Sequence, residues 1–181
     1  MSQIKKHFLS ANQLLEDSFA LADMVHKSGY APTLVIGIWR GGAPIAIAMH
    51  EYLSHQGVHV DHAVISARSY TGIKEQSNQI DLTGLEGLEG VLSSDSRVLL
   101  VDDIFDTGRT MNSVIRSLRQ LKNGQSAAIK IACPWYKPSS NLTSLKPDYY
   151  VNETAKWVVF PHELMGLEES DIKEHKPKVV L

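Results

Sequence analysis

The 181-residue sequence contains a single cysteine, Cys133, which excludes an intramolecular disulfide. It also lacks long apolar runs, and no stretch approaches the roughly 20 residues that a membrane-spanning helix requires. The N-terminus, "MSQIKKHFLSANQLLED", has no apolar signal-peptide core and becomes acidic early. We therefore expect a cytoplasmic protein without a membrane partner.

Basic and acidic residues are nearly balanced in number. The 18 Lys and Arg residues and 20 Asp and Glu residues give a net charge of −2 and a pI near 6.4. Such a balance provides no general attraction to nucleic acid, and we expect none as a partner. With 43% hydrophobic residues, the chain is an ordinary globular one, long enough for a single domain over residues 1–181.

Two other features with possible chemistry are interpreted as structural. Cys133 follows an apolar run, which favours a small buried residue over a nucleophile. His55, His59 and His62 are the closest group among the eight histidines. A glycine breaks the helix between them, and the last two fall on opposite faces of a strand, so a zinc site is not expected.

Strand and helix patterns alternate along most of the chain. A capping box, Ser10 with Gln13, begins the first helix, and Gly29 ends it. Further strands are predicted at 33–38, 58–67, 97–102 and 126–133, and further helices at 43–56 and 110–122. This alternation indicates an α/β fold, a mostly parallel twisted sheet flanked by helices.

The remaining segments are less regular. Residues 68–96 show no clear pattern and are predicted to form a functional loop. Short strands are predicted in "DYYV" and "KWVVF", and no helix is expected beyond 134. The prediction is a core of about 30–135 and a small hood formed by the N-terminal segment and about 136–181.

The segment "VLLVDDIFDTGRT", residues 98–110, places carboxylates beside a turn that leads into a helix. Gly108 allows a tight turn, the helix N-terminus offers free N–H groups, and Thr107 and Thr110 add hydroxyls. These features indicate a phosphate cradle, although the spacing is not that of a Walker loop. The alternative is an acidic turn with a helix cap.

Asp102 and Asp103 immediately precede this turn. Crowded carboxylates repel each other, so they need a cation or a ligand rich in hydroxyl groups nearby. One nucleotide-sized ligand could place its phosphate in the turn and its sugar hydroxyls against both aspartates.

Residues 98–110 closely resemble the phosphoribosyl-pyrophosphate signature of type I phosphoribosyltransferases: an apolar strand, two acids, two apolar residues and D-T-G-x-T. The resemblance implies the type I phosphoribosyltransferase fold, in which a small hood subdomain accompanies the α/β core. It implies that Asp102 and Asp103 hold the ribose 2′ and 3′ hydroxyls, with Asp103 near a Mg²⁺ ion. It further implies that five residues bind the 5′-phosphate: Asp106, Thr107, Gly108, Arg109 and Thr110.

Two loops support the resemblance. "WRGG" is similar to the family's pyrophosphate loop, which implies contacts from Arg40, Gly41 and Gly42; alone, it could be a turn that needs two glycines. "RSYTG" is similar to the family's mobile lid, in which Ser69 and Tyr70 would close over the reacting centre. We expect a lid over residues 68–84; the alternative is a surface tyrosine in a loop.

The base is indicated by later residues. In the signature, Asp106 is typical of 6-oxopurine enzymes, where it exchanges a proton at the purine N7. Lys137, in "KP", matches a donor to the 6-oxo group, and Trp157 and Val158 match the purine-binding strand. Glu163 matches a late acidic residue near the metal. Alone, the lysine could be solvated and the tryptophan part of the core.

The function predicted from the sequence is purine salvage. A Mg²⁺-dependent enzyme would displace pyrophosphate from phosphoribosyl pyrophosphate with hypoxanthine, guanine or xanthine, among which the sequence does not choose. We expect a homodimer or homotetramer. The alternative is a nucleotide-sensing, RNA-binding regulator on the same fold, but it needs a basic face, and only "KEHKPK" is basic.

Overall fold

The computed structural model describes residues 5–69 and 80–180. Seven strands form the main sheet, and a second sheet has two strands. The strands are β1 (Lys6–Phe8), β2 (Leu34–Trp39), β3 (Asp61–Ser69), β4 (Ile80–Thr83), β5 (Arg97–Val101), β6 (Ile104–Phe105), β7 (Ala128–Tyr136), β8 (Tyr149–Glu153) and β9 (Trp157–Val159). The helices are α1 (Ala11–Lys27), α2 (Gly42–His55), α3 (Arg109–Gln120) and α4 (Glu169–His175), with short 3₁₀ turns at 86–88, 138–140 and 178–180.

The main sheet is parallel except at one edge. Strand β2 lies between β3 and β5, β5 pairs with β7, and β4 runs antiparallel to β3. Strand β8 pairs with β7 at residues that also pair with β5 and β6, so it occupies the opposite edge of β7. The predicted mostly parallel sheet is confirmed.

Helices cover both faces of this sheet. Leu99 and Val101 of β5 pack with α1 and α2, whereas Val98 and Leu100 pack with α3. Side chains alternate between the faces of a strand, so a strand buried on both sides needs a continuous apolar run. The run in β5 meets this need and explains why its prediction from sequence succeeded.

The predicted start of α1 is present, although its capping box is only half formed. The Ser10 hydroxyl accepts a hydrogen bond from the Gln13 amide at 3.1 Å. The Gln13 side chain instead donates to Asp17, 2.9 Å away. Asp17 is buried and also accepts a hydrogen bond from Asn152 of β8, so the glutamine supports the carboxylate that joins α1 to the sheet.

Several elements differ from the sequence prediction, among them the short strands β1 and β6, which it did not contain. Residues 80–83, expected in a loop, form β4 and extend the sheet edge. Strand β8, expected in the hood, belongs to the main sheet, while β9 pairs with β1 in the separate sheet. Helix α4 lies in a region where no helix was expected. None of the described helices is long and apolar enough to cross a bilayer.

Candidate active site

The candidate site residues lie at one end of the sheet, formed by the carboxyl ends of the parallel strands. The "WRGG" loop follows β2, the two adjacent aspartates follow β5, and Lys137 follows β7. The pairing of Gly37 with Val101, and of Val101 with Ala132, brings these three strand ends side by side. Ligands of open α/β sheets bind at the carboxyl ends of the strands.

The loop after β2 packs directly on Asp103. A Cβ atom placed on Gly41 would lie 1.8 Å from the Asp103 Oδ2 atom, and one on Gly42 would lie 2.2 Å from the Val101 carbonyl oxygen. A side chain at either position would therefore displace the neighbouring atoms. Arg40, Gly41 and Asp103 line one wall of a cavity of about 400 Å³. The loop backbone therefore lies close to the Asp103 carboxylate, and its expected contact with pyrophosphate stays a prediction.

The two adjacent aspartates cannot both ionise without a cost in free energy. The Asp102 carboxylate accepts a hydrogen bond from the Asp103 amide at 3.0 Å. Desolvation, and then the charge of Asp103, raise the pKa of Asp102 well above its ordinary value. Among the described residues, His162 forms an ion-pair contact with Asp103, its Nε2 atom lying 3.7 Å from the Oδ2 atom. A cation bound here would offset the repulsion.

The donor set at this point fits Mg²⁺. No group of three or more potential metal-binding side chains occurs in the part of the chain that the structure describes. Magnesium does not require one, because it is commonly held by one or two carboxylates together with substrate phosphates and water. The carboxylate of Asp103, which is 15% exposed and faces the cavity, matches that mode of binding.

The turn at residues 106–110 has the geometry of an anion site. Gly108 has a positive φ of 77° and caps α3, which begins at Arg109 and includes Thr110 in its first turn. The Thr107 hydroxyl accepts a hydrogen bond from the Arg109 amide at 3.4 Å. The remaining N–H groups of the first helical turn, together with the helix dipole, favour a phosphate.

A neighbouring loop supports this turn. The Leu142 amide donates to the Thr107 carbonyl at 3.0 Å, and the hydroxyl of Thr143 and the amide oxygen of Asn141 lie against Gly108. A Cβ at Gly108 would lie 2.4 Å from the Thr143 oxygen, so glycine is required here for space as well as for φ.

Asp106 and Lys137, predicted separately from the sequence, form an ion pair. The Lys137 Nζ atom lies 2.9 Å from the Asp106 Oδ2 atom. The pairing of β6 with β7, and a hydrogen bond from the Lys137 amide to the Phe105 carbonyl, bring the two residues together. The lysine side chain is 13% exposed and that of the aspartate 41%, so the pair reaches solvent on the aspartate side.

Trp157 and Val158 lie on β9, close to the same end of the main sheet. The Thr154 amide donates to the Tyr136 carbonyl, so the chain that leads into β9 starts beside the residue preceding Lys137. The Trp157 side chain is 53% exposed, whereas Val158 is buried. An exposed large aromatic side chain is available to stack on a planar ligand, and Val158 can offer only its backbone.

The lid residues are described only in part. Ser69 ends β3, where its backbone pairs with Ile80 of β4. Tyr70 and most of the expected lid lie outside the described residues. The contacts expected of these two residues stay a prediction.

Comparison with known proteins gives the family. Residues 7–167 match the phosphoribosyl transferase domain. The chain belongs to this family. A hypoxanthine-guanine phosphoribosyltransferase of Lactococcus lactis subsp. lactis (strain IL1403) is 32% identical over 148 residues, which span 81% of this chain and 75% of the relative.

Solved structures agree with this assignment. A purine phosphoribosyltransferase from Pyrococcus horikoshii Ot3 superposes with a TM-score of 0.71 at 34% identity, covering 91% of this chain and 97% of the other. A Neisseria gonorrhoeae protein with bound ppGpp has a TM-score of 0.77 at 18% identity, covering 97% and 96%. The second likeness shows the fold alone. The family and fold predicted from the sequence are confirmed.

Sequence reasoning missed His162, a polar residue at the candidate site of this phosphoribosyltransferase. His162 lines the same cavity as Arg40 and Glu163, and its Nε2 atom lies 3.7 Å from the Asp103 carboxylate. The Glu163 carboxylate accepts a hydrogen bond from the Phe160 amide at 3.0 Å. The only signal was the position of His162 next to that acid. Cys133 is buried, and burial raises the pKa of its thiol, so it is a core residue of the phosphoribosyltransferase.

Proposed function

We propose that this phosphoribosyltransferase transfers the 5-phosphoribosyl group from phosphoribosyl pyrophosphate to hypoxanthine, guanine or xanthine. The products are a nucleoside 5′-monophosphate and pyrophosphate. The observation that carries the proposal is the Asp106–Lys137 pair, 2.9 Å apart beside the phosphate turn. The relatives named as hypoxanthine-guanine and purine phosphoribosyltransferases support the same class of base.

The sugar phosphate would be held by residues 102–110. The turn at 106–110 binds the 5′-phosphate through backbone N–H groups and hydroxyls, and Asp102 and Asp103 accept hydrogen bonds from the ribose 2′ and 3′ hydroxyls. These contacts orient C1′ between the leaving pyrophosphate and the base. Orientation of this kind supplies much of the rate enhancement when the protein itself forms no covalent bond to substrate.

The leaving group would be stabilised by the loop after β2. Arg40 and the backbone amides at Gly41 and Gly42 bind the pyrophosphate oxygens, where negative charge develops as the bond to C1′ breaks. Asp103 would hold the Mg²⁺ ion that the family uses with phosphoribosyl pyrophosphate. When bound, the ion supplies further neutralisation of the pyrophosphate charge.

The base would be selected by the ion pair. The ammonium group of Lys137 has more than one N–H, so it can donate to Asp106 and to the 6-oxo oxygen together. An amino group at position 6, as in adenine, would face this donor and leave it unpaired, at a cost in binding. Asp106 accepts or returns the proton at N7, Trp157 stacks on the ring, and the Val158 backbone lies near position 2.

The RNA-binding alternative is not favoured. Its basic surface has no counterpart in a chain with 18 basic and 20 acidic residues. The similar proteins named for an activity are enzymes.

The test is pyrophosphate release with Mg²⁺, phosphoribosyl pyrophosphate and a panel of bases. We expect turnover with at least one of hypoxanthine, guanine and xanthine, and much slower turnover with adenine, uracil and orotate. Turnover of adenine at an equal or greater rate would contradict the role of the Asp106–Lys137 pair.

The proposal includes a single domain over residues 1–181, a cytoplasmic location and a homodimer or homotetramer. These points rest on composition and on the resemblance to the family. Light scattering coupled to size-exclusion chromatography measures the oligomeric state, and a monomeric mass would contradict that part.

A further inference from the structure

The chain beyond the family domain returns to the active site. The family match ends at residue 167, and α4 follows it, begun by a reciprocal capping box between Glu168 and Asp171. Asp171 also forms an ion pair with Lys6 of β1 at 2.5 Å, and the His175 ring stacks on Phe8 with centroids 3.8 Å apart. Two contacts with β1 therefore fix the position of this tail.

Lys176, the residue after α4, is buried although it carries a charge. It is 9% exposed, and its Nζ atom donates to the Phe160 carbonyl at 2.7 Å and lies 3.4 Å from the Pro161 carbonyl. Burial lowers its pKa from the ordinary lysine value. Charged side chains are rarely buried unless they hold a partner, and here the partners are two consecutive backbone carbonyls.

The segment held by Lys176 is the turn Phe160–Glu163. The Glu163 amide donates to the Phe160 carbonyl, and the Glu163 carboxylate accepts from the Phe160 amide, each at 3.0 Å. His162 stacks on the Phe160 ring with centroids 5.7 Å apart. These contacts direct the imidazole toward the cavity, where its Nε2 atom lies 3.7 Å from the Asp103 carboxylate.

We propose that Lys176 is a positioning residue, which acts through the Phe160–Glu163 turn to hold His162 against the pyrophosphate end of phosphoribosyl pyrophosphate. His162 and Arg40 line the same cavity, which is the one that we assign to the pyrophosphate. The inference rests on the proposed function. It gives the tail, which lies outside the family match, a role in binding phosphoribosyl pyrophosphate but none in binding the purine.

The first experiment replaces the charge and keeps the side-chain length, with Lys176→Met. We expect the KM for phosphoribosyl pyrophosphate to rise about tenfold, because the turn loses its charge-assisted bond, while the KM for the purine stays within about twofold. The matched control is Lys173→Met on the same helix. Lys173 is exposed and pairs with Glu169 one turn away, so both KM values should stay within about twofold of wild type.

The second variant, His162→Phe, removes the ring nitrogens and keeps a ring that can stack on Phe160. It should raise the KM for phosphoribosyl pyrophosphate to a similar extent even if Lys176→Met does not fold. In the double variant, the effects should combine to less than their product, because both substitutions act on the same contact. Unchanged KM values in folded His162→Phe, or independent effects in the double variant, overturn the inference.

Failure of the proposed function has a separate signature. If the wild-type protein turns over no base, the proposed reaction is wrong, and positioning is then judged by calorimetric titration of pyrophosphate with Mg²⁺. We expect about tenfold weaker binding by Lys176→Met and His162→Phe than by wild type and Lys173→Met. Equal binding by all four proteins rejects the role of Lys176.

Discussion

At the scale of single residues, two carboxylate arrangements at the site differ in how their charge is balanced. Asp106 has Lys137 at 2.9 Å, whereas Asp102 and Asp103 face each other, with His162 3.7 Å from Asp103. The first pair is already formed in the structure, and under the proposed function it would set the chemistry of the base. The second is costly without ligand, since desolvation and like charge both oppose ionisation. Binding of sugar hydroxyls and a cation would relieve this cost.

Asp106→Asn tests the first pair. The amide keeps the shape and can still accept from Lys137, but it cannot exchange a proton with N7. We expect kcat to fall by about 10²-fold or more, the usual scale of a general acid–base contribution, with the KM for phosphoribosyl pyrophosphate little changed. Steady-state kinetics with the best 6-oxopurine measures both. Asp95→Asn, in an exposed turn before β5, is the control, and a near-native kcat in Asp106→Asn would show that Asp106 is structural.

At the scale of elements, the site is a set of loops whose backbones touch strand ends. Gly41 contacts Asp103 after β5, and Gly108 contacts the Asn141–Thr143 segment after β7. Each contact joins elements that are far apart in the sequence. Their close approach explains why glycine stands at these positions.

Gly41→Ala tests the contact between the first two elements. The added methyl group would lie 1.8 Å from the Asp103 carboxylate, so the loop or the aspartate must move. We expect kcat/KM for phosphoribosyl pyrophosphate to fall at least about tenfold, because displacement at the reacting centre is costly. Gly87→Ala is the matched control, since its Cβ would meet nothing within 4 Å. Equal kinetics in the two variants would show that the loop has room to adjust.

Whether a feature depends on adjacent residues or on contacts between distant ones also explains what the sequence could predict. The strands at 33–38 and 97–102 and the turn at 106–110 carry their signals in a few adjacent residues, as continuous apolar runs or as a glycine before a helix. Strand β4, the place of β8 beside β7, and the contact of His162 with Asp103 depend on partners distant in the chain. Helix α4 has few apolar residues and is held by Lys6 and Phe8, so its own segment shows no amphipathic pattern.

At the scale of the whole molecule, a tyrosine links elements at the end of the sheet opposite to the site. Tyr30 follows α1, and its hydroxyl group lies 3.0 Å from the Val98 carbonyl and 3.2 Å from the Ala128 carbonyl, at the amino ends of β5 and β7. The Lys130 ammonium group lies 4.6 Å from the centre of the Tyr30 ring. One side chain thus links a helix end to both central strands, at a distance from the substrates.

This link makes stability depend on alkaline pH. Burial raises the pKa of Tyr30 from 10.0 to about 12. Between these values the folded protein keeps the phenol proton that the unfolded chain loses, so the free energy of unfolding decreases as pH rises from 10 to 12. Allowing for partial exposure, we expect a loss of about 1–2 kcal/mol. Urea denaturation of wild type and Tyr30→Phe at pH 9 and pH 11.5 measures it. Other tyrosines titrate in both proteins, so the difference between the two isolates Tyr30. Wild type should lose more stability than the variant, and kcat at pH 7.5 should match; equal losses would show that this hydroxyl group does not carry the alkaline dependence.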